Sequence, residues 1–132
     1  MKYLLDTHTW IWINLHPEKL TKKIRSLLIN NSNYEELLIS AISIWEFCKL
    51  LEKKRLVISC DPEEWIHKAL EIPKLRFVNI TPLISYKSTS LPRPFHEDPA
   101  DQIIVATARE ENATIITKDK LISEYEYVRS IW

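Results

Sequence analysis

Three short apolar runs, Tyr3-Leu4-Leu5, Leu37-Leu38-Ile39 and Thr114-Ile115-Ile116-Thr117, recur along the chain with segments of helical spacing between them. Each run is too short to be a helix of its own and reads as a strand. Strands that alternate with helices specify an α/β fold, a parallel sheet covered on both faces. The runs share a second regularity. Asp6 closes the first, Glu46 follows the second by less than ten residues, and Asp119 closes the third; Asp101 opens a further apolar stretch, Ile103-Ile104-Val105-Ala106. Residues just past the strand ends of a parallel sheet line one crevice, so acids far apart in sequence meet in space. At an effective dielectric of about 20, two carboxylates ~5 Å apart repel by roughly 3 kcal/mol. A fold that gathers four must protonate some of them or hold a cation, and a cation is expected.

Lys2 to Asp6 is the expected first strand. Trp10-Ile11-Trp12-Ile13 fits strand or buried helix by periodicity alone, but a strand there would need a reversal with no turn residue, so Thr7 to Leu15 is read as helix. Pro17-Glu18 opens a second helix with Leu20, Ile24, Leu27 and Leu28 as its apolar stripe. Glu36 to Ser40 is the second strand, and Ser43 is expected to cap the helix that carries Trp45, Glu46 and Lys49 through Lys54. Asp61-Pro62-Glu63-Glu64 is a strong start for a helix running to about Ile72. Arg76 to Ile80 is the third strand. Thr81-Pro82 opens another helix, and the loop Leu91 to Glu97 follows. Asp98-Pro99 begins the most hydrophobic helix, which ends near Asn112 as a left-handed cap. Ala113 to Thr117 is the fourth strand and Val128 to Trp132 a short fifth. The expectation is one domain over 1–132, with a central parallel sheet of four to five strands and helices on both faces.

At 132 residues the chain suits a single domain. No apolar run is long enough to span a bilayer, and Asp6 and His8 interrupt the N-terminal apolar residues without a cleavage site, so no signal peptide is expected. There is no glycine. That rules out the Gly-rich phosphate loops of the Walker and dinucleotide types. It also leaves left-handed turn positions to Asn, with Asn30-Asn31, Asn33 and Asn112 as candidates. Cys48 and Cys60 form neither a CxxC pair nor a disulfide framework, which fits a reducing cytoplasm, and both are expected as small buried hydrophobes. The formal net charge is zero, so no global basic field advertises nucleic-acid binding. Lys19, Lys22, Lys23 and Arg25 nevertheless cluster in one segment, and Lys49, Lys53, Lys54 and Arg55 in another. Either they surround an inward acidic site with a basic face, or they are solvated helix faces.

Asp, Glu, Asp and Asp at strand ends or first helical turns form a hard, oxygen-only donor set, which suits Mg²⁺ or Mn²⁺. Zinc would want His or Cys, and His8, His16, His67 and His96 show no paired ligand spacing. His8 and His96, near the acids, could touch substrate, but a structural role is expected for each. No nucleophile elbow or Ser-His-Asp order appears. Metal-activated water attacking a phosphate remains. Each acid also has an ordinary explanation. Asp98 is a good N-cap before Pro99, and Asp101 favours the same helix's positive N-terminus. Glu46 fits an i+3 pair with Lys49, although Trp45 and Phe47 beside it suggest a partly buried setting. Asp119 fits a plain turn. Singly these explanations suffice; jointly the four acids point to a metal site.

The ordered blocks Leu4-Leu5-Asp6-Thr7-His8, Ser43-Ile44-Trp45-Glu46, His96-Glu97-Asp98-Pro99-Ala100-Asp101-Gln102 running on to Ala108, and Ile116-Thr117-Lys118-Asp119 resemble the PIN-domain ribonucleases. The resemblance covers nearly the whole chain and is closest to the VapC-type toxins of prokaryotic toxin–antitoxin pairs. It implies a cytoplasmic Mg²⁺- or Mn²⁺-dependent endoribonuclease that cuts RNA, is inhibited by a cognate antitoxin, and forms a homodimer. Asp6, Glu46, Asp101 and Asp119 match the family's metal-holding catalytic acids, and Asp98 its additional Asp. Gln102 stands where many relatives have Arg, Ala100 where many have Phe, and Lys54 and Asn112 where Gly is frequent. The loss of the Arg bears on substrate grip, not on the metal ligands. Thr7 to Leu28 holds more Trp, Ile and Leu than one core stripe needs, so part of it is expected to form a groove for an amphipathic antitoxin helix, with core packing or a homodimer contact as the alternative. A haloacid-dehalogenase-like phosphohydrolase would want a second Asp two residues after Asp6, where His8 stands. A receiver-like domain would want an Asp after its middle strand, where Thr81-Pro82 stands. A PIN-like module that binds without catalysis is the remaining alternative, and the four acids argue against it.

Overall fold

The computed structural model describes residues 1–30 and 34–132. Within them the strands are β1 (Lys2–Leu5), β2 (Glu36–Ser40), β3 (Leu75–Val78), β4 (Thr114–Ile116) and β5 (Ser130–Ile131). They form one sheet in the order β3-β2-β1-β4-β5, and every pairing is parallel. The helices are α1 (Thr7–Leu15), α2 (Lys22–Arg25), α3 (Ala41–Glu52), α4 (Pro62–Ala69), α5 (Pro82–Ser88), α6 (Pro99–Glu111) and α7 (Lys120–Ser123).

The two-residue period of the strands sorts the core into two halves. Leu4, Leu38 and Ile115 point to one face, where Ile84 of α5, Ile104, Val105 and Ala108 of α6, and Ile122 of α7 cover them. Leu5, Leu37, Ile39 and Ile116 point to the other face, against Trp10, Ile24, Phe47 and Trp65 from α1 to α4. The three central strands are apolar on both sides because both sides are buried. Each fully buried Leu or Ile contributes about 1.5–3 kcal/mol, and a one-residue slip of β1 would turn Leu4 and Leu5 to opposite faces and misplace Asp6 beyond its end. The chain runs outward through β1, β2 and β3, then returns to place β4 on the far side of β1. The reversal leaves a crevice between β1 and β4 at their carboxyl ends.

Several local expectations are corrected. The segment from Pro17 is not one helix but a 3₁₀ turn, Pro17–Lys19, followed by α2 and a π-helical turn, Ser26–Asn30. Leu20 leaves the helical region with its side chain buried, and Thr21 Oγ1 accepts from the Ile24 N–H at 3.2 Å to start the chain afresh. Ser40, not Ser43, caps α3, accepting from the Ile42 N–H at 3.2 Å. Helix α4 stops at Ala69 rather than Ile72, and β3 at Val78 rather than Ile80. Asn112 takes the left-handed conformation, φ 53°, and the Ala113 N–H closes back onto the Ala108 carbonyl at 2.8 Å. Lys54 and Lys74 occupy the other left-handed positions among the described residues, with φ of 56° and 63°. Lys54 ends α3 in the same way, the Arg55 N–H donating to the Leu50 carbonyl at 2.9 Å. Of the other Asn candidates, Asn30 ends the π-helical turn without such a φ, while Asn31 and Asn33 lie outside the described residues. Cys48 and Cys60 are free and exposed, not buried, because each falls on the side of its segment turned away from the core. Most of the apolar surplus between Thr7 and Leu28 enters the core: Trp10, Ile11, Leu20, Ile24 and Leu28 are buried, while Trp12, Ile13, Leu15 and Leu27 are partly covered. No helix among the described residues is long and apolar enough to cross a membrane.

Candidate metal centre

Asp6, Glu46, Asp98, Asp101 and Asp119 all line one cleft of about 760 Å³ at the carboxyl end of the sheet. Their positions follow from how strands pass into helices. Asp6 ends β1 and caps α1, its Oδ1 accepting from the Thr7 N–H at 2.8 Å. Asp119 follows β4 and caps α7, accepting from the Ile122 N–H at 3.0 Å. Asp98 caps α6, accepting from the Ala100 N–H at 3.0 Å, and Asp101 sits in that helix's first turn. Glu46 projects from α3, which packs against α1 and α6. Capping and convergence are therefore not rival explanations for the Asp residues. The cap holds each carboxylate at a helix start, where the positive end of the dipole offsets part of its charge. Glu46 does not pair with Lys49, whose ammonium turns to Glu52 at 2.7 Å.

Hydroxyls hold the acids in place. Thr117 Oγ1 donates to Asp6 Oδ2 at 2.5 Å and accepts from the Asp119 N–H at 2.9 Å, so one buried side chain orients two of the carboxylates. Thr7 hydrogen-bonds Glu46 through its hydroxyl and meets the Ser43 hydroxyl at 2.9 Å. Thr7 directly follows Asp6 and Thr117 stands two positions before Asp119, but nothing in a Thr alone marks it as an acid's partner. His8 Nε2 accepts from the Lys118 N–H at 3.0 Å, which leaves the proton on Nδ1, 3.6 Å from Asp6 Oδ2. Burial lowers the His8 pKa against the pull of Asp6 and Asp119, which keeps the ring neutral. His96 Nδ1 accepts from the Asp98 N–H at 3.3 Å, and its buried Nε2 lies 3.1 Å from Asp101 Oδ2 without the alignment of a hydrogen bond. Gln102 donates to the His96 carbonyl at 3.0 Å and ties this loop to α6. Both histidines make structural contacts beside the acids, and His8 also lines the cleft.

The electrostatics are those of an acidic cluster short of cations. Burial pushes Asp101 up to about 8, and Asp6, Asp98, Asp119 and Glu46, in that order, add to the rise. Burial likewise raises Glu46, with the Thr7 hydrogen bond opposing and Asp6 and Asp98 reinforcing. A divalent cation would oppose both shifts, because an adjacent positive charge favours the ionised carboxylates. The donor set is oxygen only, which fits Mg²⁺ or Mn²⁺ better than the His- and Cys-rich shells typical of zinc. Among the described residues no three carboxylates or imidazoles close tightly enough to form a complete cage. Mg²⁺ tolerates that openness, since it keeps several waters and takes only one or two carboxylates directly. Lys19, Lys49, Lys53 and Arg55 line the same cleft, so these members of the two basic clusters face the site, not only solvent.

Together the sheet and the cleft define an α/β protein with a cation-seeking acidic centre at its topological switch point. The PIN domain matches residues 3–126, and the chain belongs to the PIN-domain family. It is 30% identical over 128 residues to Ribonuclease VapC22 of Mycobacterium tuberculosis, covering 97% of this chain and 95% of that one. Solved structures with the same fold include DNA-bound VapBC from Salmonella typhimurium, with a TM-score of 0.67, 20% identity, and coverage of 99% of this chain and 97% of that one. VapBC2 from Rickettsia felis, bound to a promoter DNA fragment, gives 0.66 and 22%, covering 99% and 98%.

Proposed function

We propose that this chain is a Mg²⁺- or Mn²⁺-dependent endoribonuclease and the toxin of a toxin–antitoxin pair, working as one domain over 1–132. The convergence of five carboxylates on one cleft, with Asp101 driven to about 8, carries the reading. Membership of the PIN family and the likeness to Ribonuclease VapC22 support it. Asp6, Glu46, Asp101 and Asp119 are the proposed ligands; Asp98, exposed at the cleft's edge, is the helix cap that fixes Asp101 beside them. Once bound, the cation supplies a water of lowered pKa and offsets charge on the phosphate under attack. The chain's own part is positional. Thr117 and Thr7 fix the carboxylate oxygens, neutral His8 accepts from the Lys118 N–H beside Asp6, and Lys19, Lys49, Lys53 and Arg55 attract the phosphodiester backbone.

The VapBC structural neighbours support a partner antitoxin encoded with this chain; inhibition by that partner, a homodimeric toxin and a cytoplasmic setting are parts of the same proposal. The half-covered Trp12, Ile13, Leu15 and Leu27 together with the exposed Ile29 are the proposed seat of an amphipathic antitoxin helix. Incubating the purified chain with structured RNAs tests the activity: cleavage with Mn²⁺ or Mg²⁺ and none with EDTA is expected, and cleavage undiminished by EDTA overturns the metal mechanism. Co-expression with the protein encoded immediately upstream should give a stable complex. A chain that purifies alone and ignores that protein overturns the toxin assignment.

A further inference from the structure

Trp45 stands on the wall of the acidic cleft with 56% of its surface exposed, whereas Trp10 and Trp65 are 0% and 7% exposed. It directly precedes Glu46 on α3, so its indole lies about 100° round the helix from that half-buried carboxylate. Lys49, one turn on and on the same face, holds its ammonium 5.6 Å from the centre of the Trp45 ring. Lys53 and Arg55 line the same cleft. The chain carries no net charge, so cations gathered beside an acidic centre are a local arrangement and not the spill of a basic surface. An apolar partner helix would have to cover Trp45 among these charged neighbours, which opposes it. An unpaired base suits the same surroundings, because it stacks on the ring while its phosphates meet the cations. A duplex offers no free base face.

We propose that Trp45 is a base-stacking residue, receiving an unpaired base next to the phosphate held at the acidic centre, and that Lys49 meets the adjoining phosphate. The Lys49–Glu52 pair is solvent-exposed and easily exchanged for a phosphate. The proposal rests on the ribonuclease reading and deepens it by assigning the residues that would grip the base and its phosphate beside the acidic centre.

Fluorescence anisotropy with short labelled oligoadenylate and oligouridylate, and with an RNA duplex, tests this, using Ca²⁺ as the cation to slow cleavage. The parent should bind both single strands and bind the duplex more weakly. Trp45→Ala should raise Kd for the single strands roughly 5- to 100-fold, and Trp45→Phe should restore most of the affinity. Lys49→Gln should lower the slope of log Kd against log salt by about one. A Trp45→Ala protein that keeps the parent's Kd, or a parent that cleaves RNA yet binds neither single strand, overturns the stacking role and leaves the ribonuclease reading intact. A parent that neither binds nor cleaves RNA overturns both. A Trp45→Ala protein that binds RNA normally but no longer holds the upstream-encoded protein assigns the indole to a protein partner and overturns the proposal.

Discussion

Replacing Asp101 by Asn keeps the side chain's shape and takes one charge out of the crowded crevice. In the folded protein burial, and then Asp6, Asp98, Asp119 and Glu46, move this carboxyl from 3.8 to about 8. The unfolded chain releases the proton near 3.8 and the folded chain keeps it to about 8. Stability from this group is therefore fully present below about pH 4, falls as pH rises, and levels off above about pH 8. A shift of about four units corresponds to about 5–6 kcal/mol at full strength. The cleft is open to water and screened, so about 1–3 kcal/mol is the expected loss. Asn is neutral throughout and escapes it, while giving up about 0.5 kcal/mol of favourable charge in the first turn of α6. Without metal, Asp101→Asn should melt with the parent near about pH 4 and about 3–8 °C above it near about pH 8. Circular dichroism melts in EDTA across that range measure the difference. A gap that does not change with pH, or a parent that is the more stable at the alkaline end, refutes the reasoning. Added Mn²⁺ should reverse the order, since a cation at ~100 times its Kd stabilises the parent by about 2.7 kcal/mol and finds a weakened site in the variant. RNA cleavage by the variant should fall steeply.

At Asp98, Asn keeps the cap and should change stability by only a few tenths of a kcal/mol, whereas Ala should cost about 1 kcal/mol in urea unfolding. Equal losses for the two variants would show that charge, not capping, governs this position. Thr117→Val removes the donor to Asp6 and strands the Asp119 N–H, so it should cost about 1–3 kcal/mol and lower cleavage together. Unchanged cleavage would free Asp6 from dependence on that hydroxyl. Lys54→Gly relieves a left-handed backbone at the end of α3 and should raise stability by about 0.5–1 kcal/mol in thermal melts; a lower melting point would show that the Lys54 side chain makes a contact worth more than the relief.

The strands β1, β2 and β4, the helix starts at Asp61, Thr81 and Asp98, and the left-handed stop at Asn112 are all written into the local sequence. Each depends on a pattern a few residues long: a run buried on both faces, an Asp or Thr before Pro, a residue that tolerates positive φ. The parallel sheet follows from their alternation, and with it the crevice that collects acids lying past the strand ends. Where local patterns compete, sequence alone falls short. Ser40 and Ser43 are both competent caps, and only the end of β2 selects Ser40, freeing Ser43 to meet Thr7. Lys54 and Lys74 take left-handed positions because the chain must turn there, whatever the residue prefers. Trp10 and Trp45 sit in equally apolar stretches, yet one is sealed against Phe47 and Trp65 and the other faces the cleft. Those outcomes depend on surfaces that exist only once the sheet has closed. Thr117 and Asp6 lie 111 positions apart and share one hydrogen bond, so no local window holds both partners. The acids are legible in the sequence because their places are set by strand ends; their orientation, and the raised pKa of Glu46 and Asp101, arise only from the neighbours that the tertiary fold supplies.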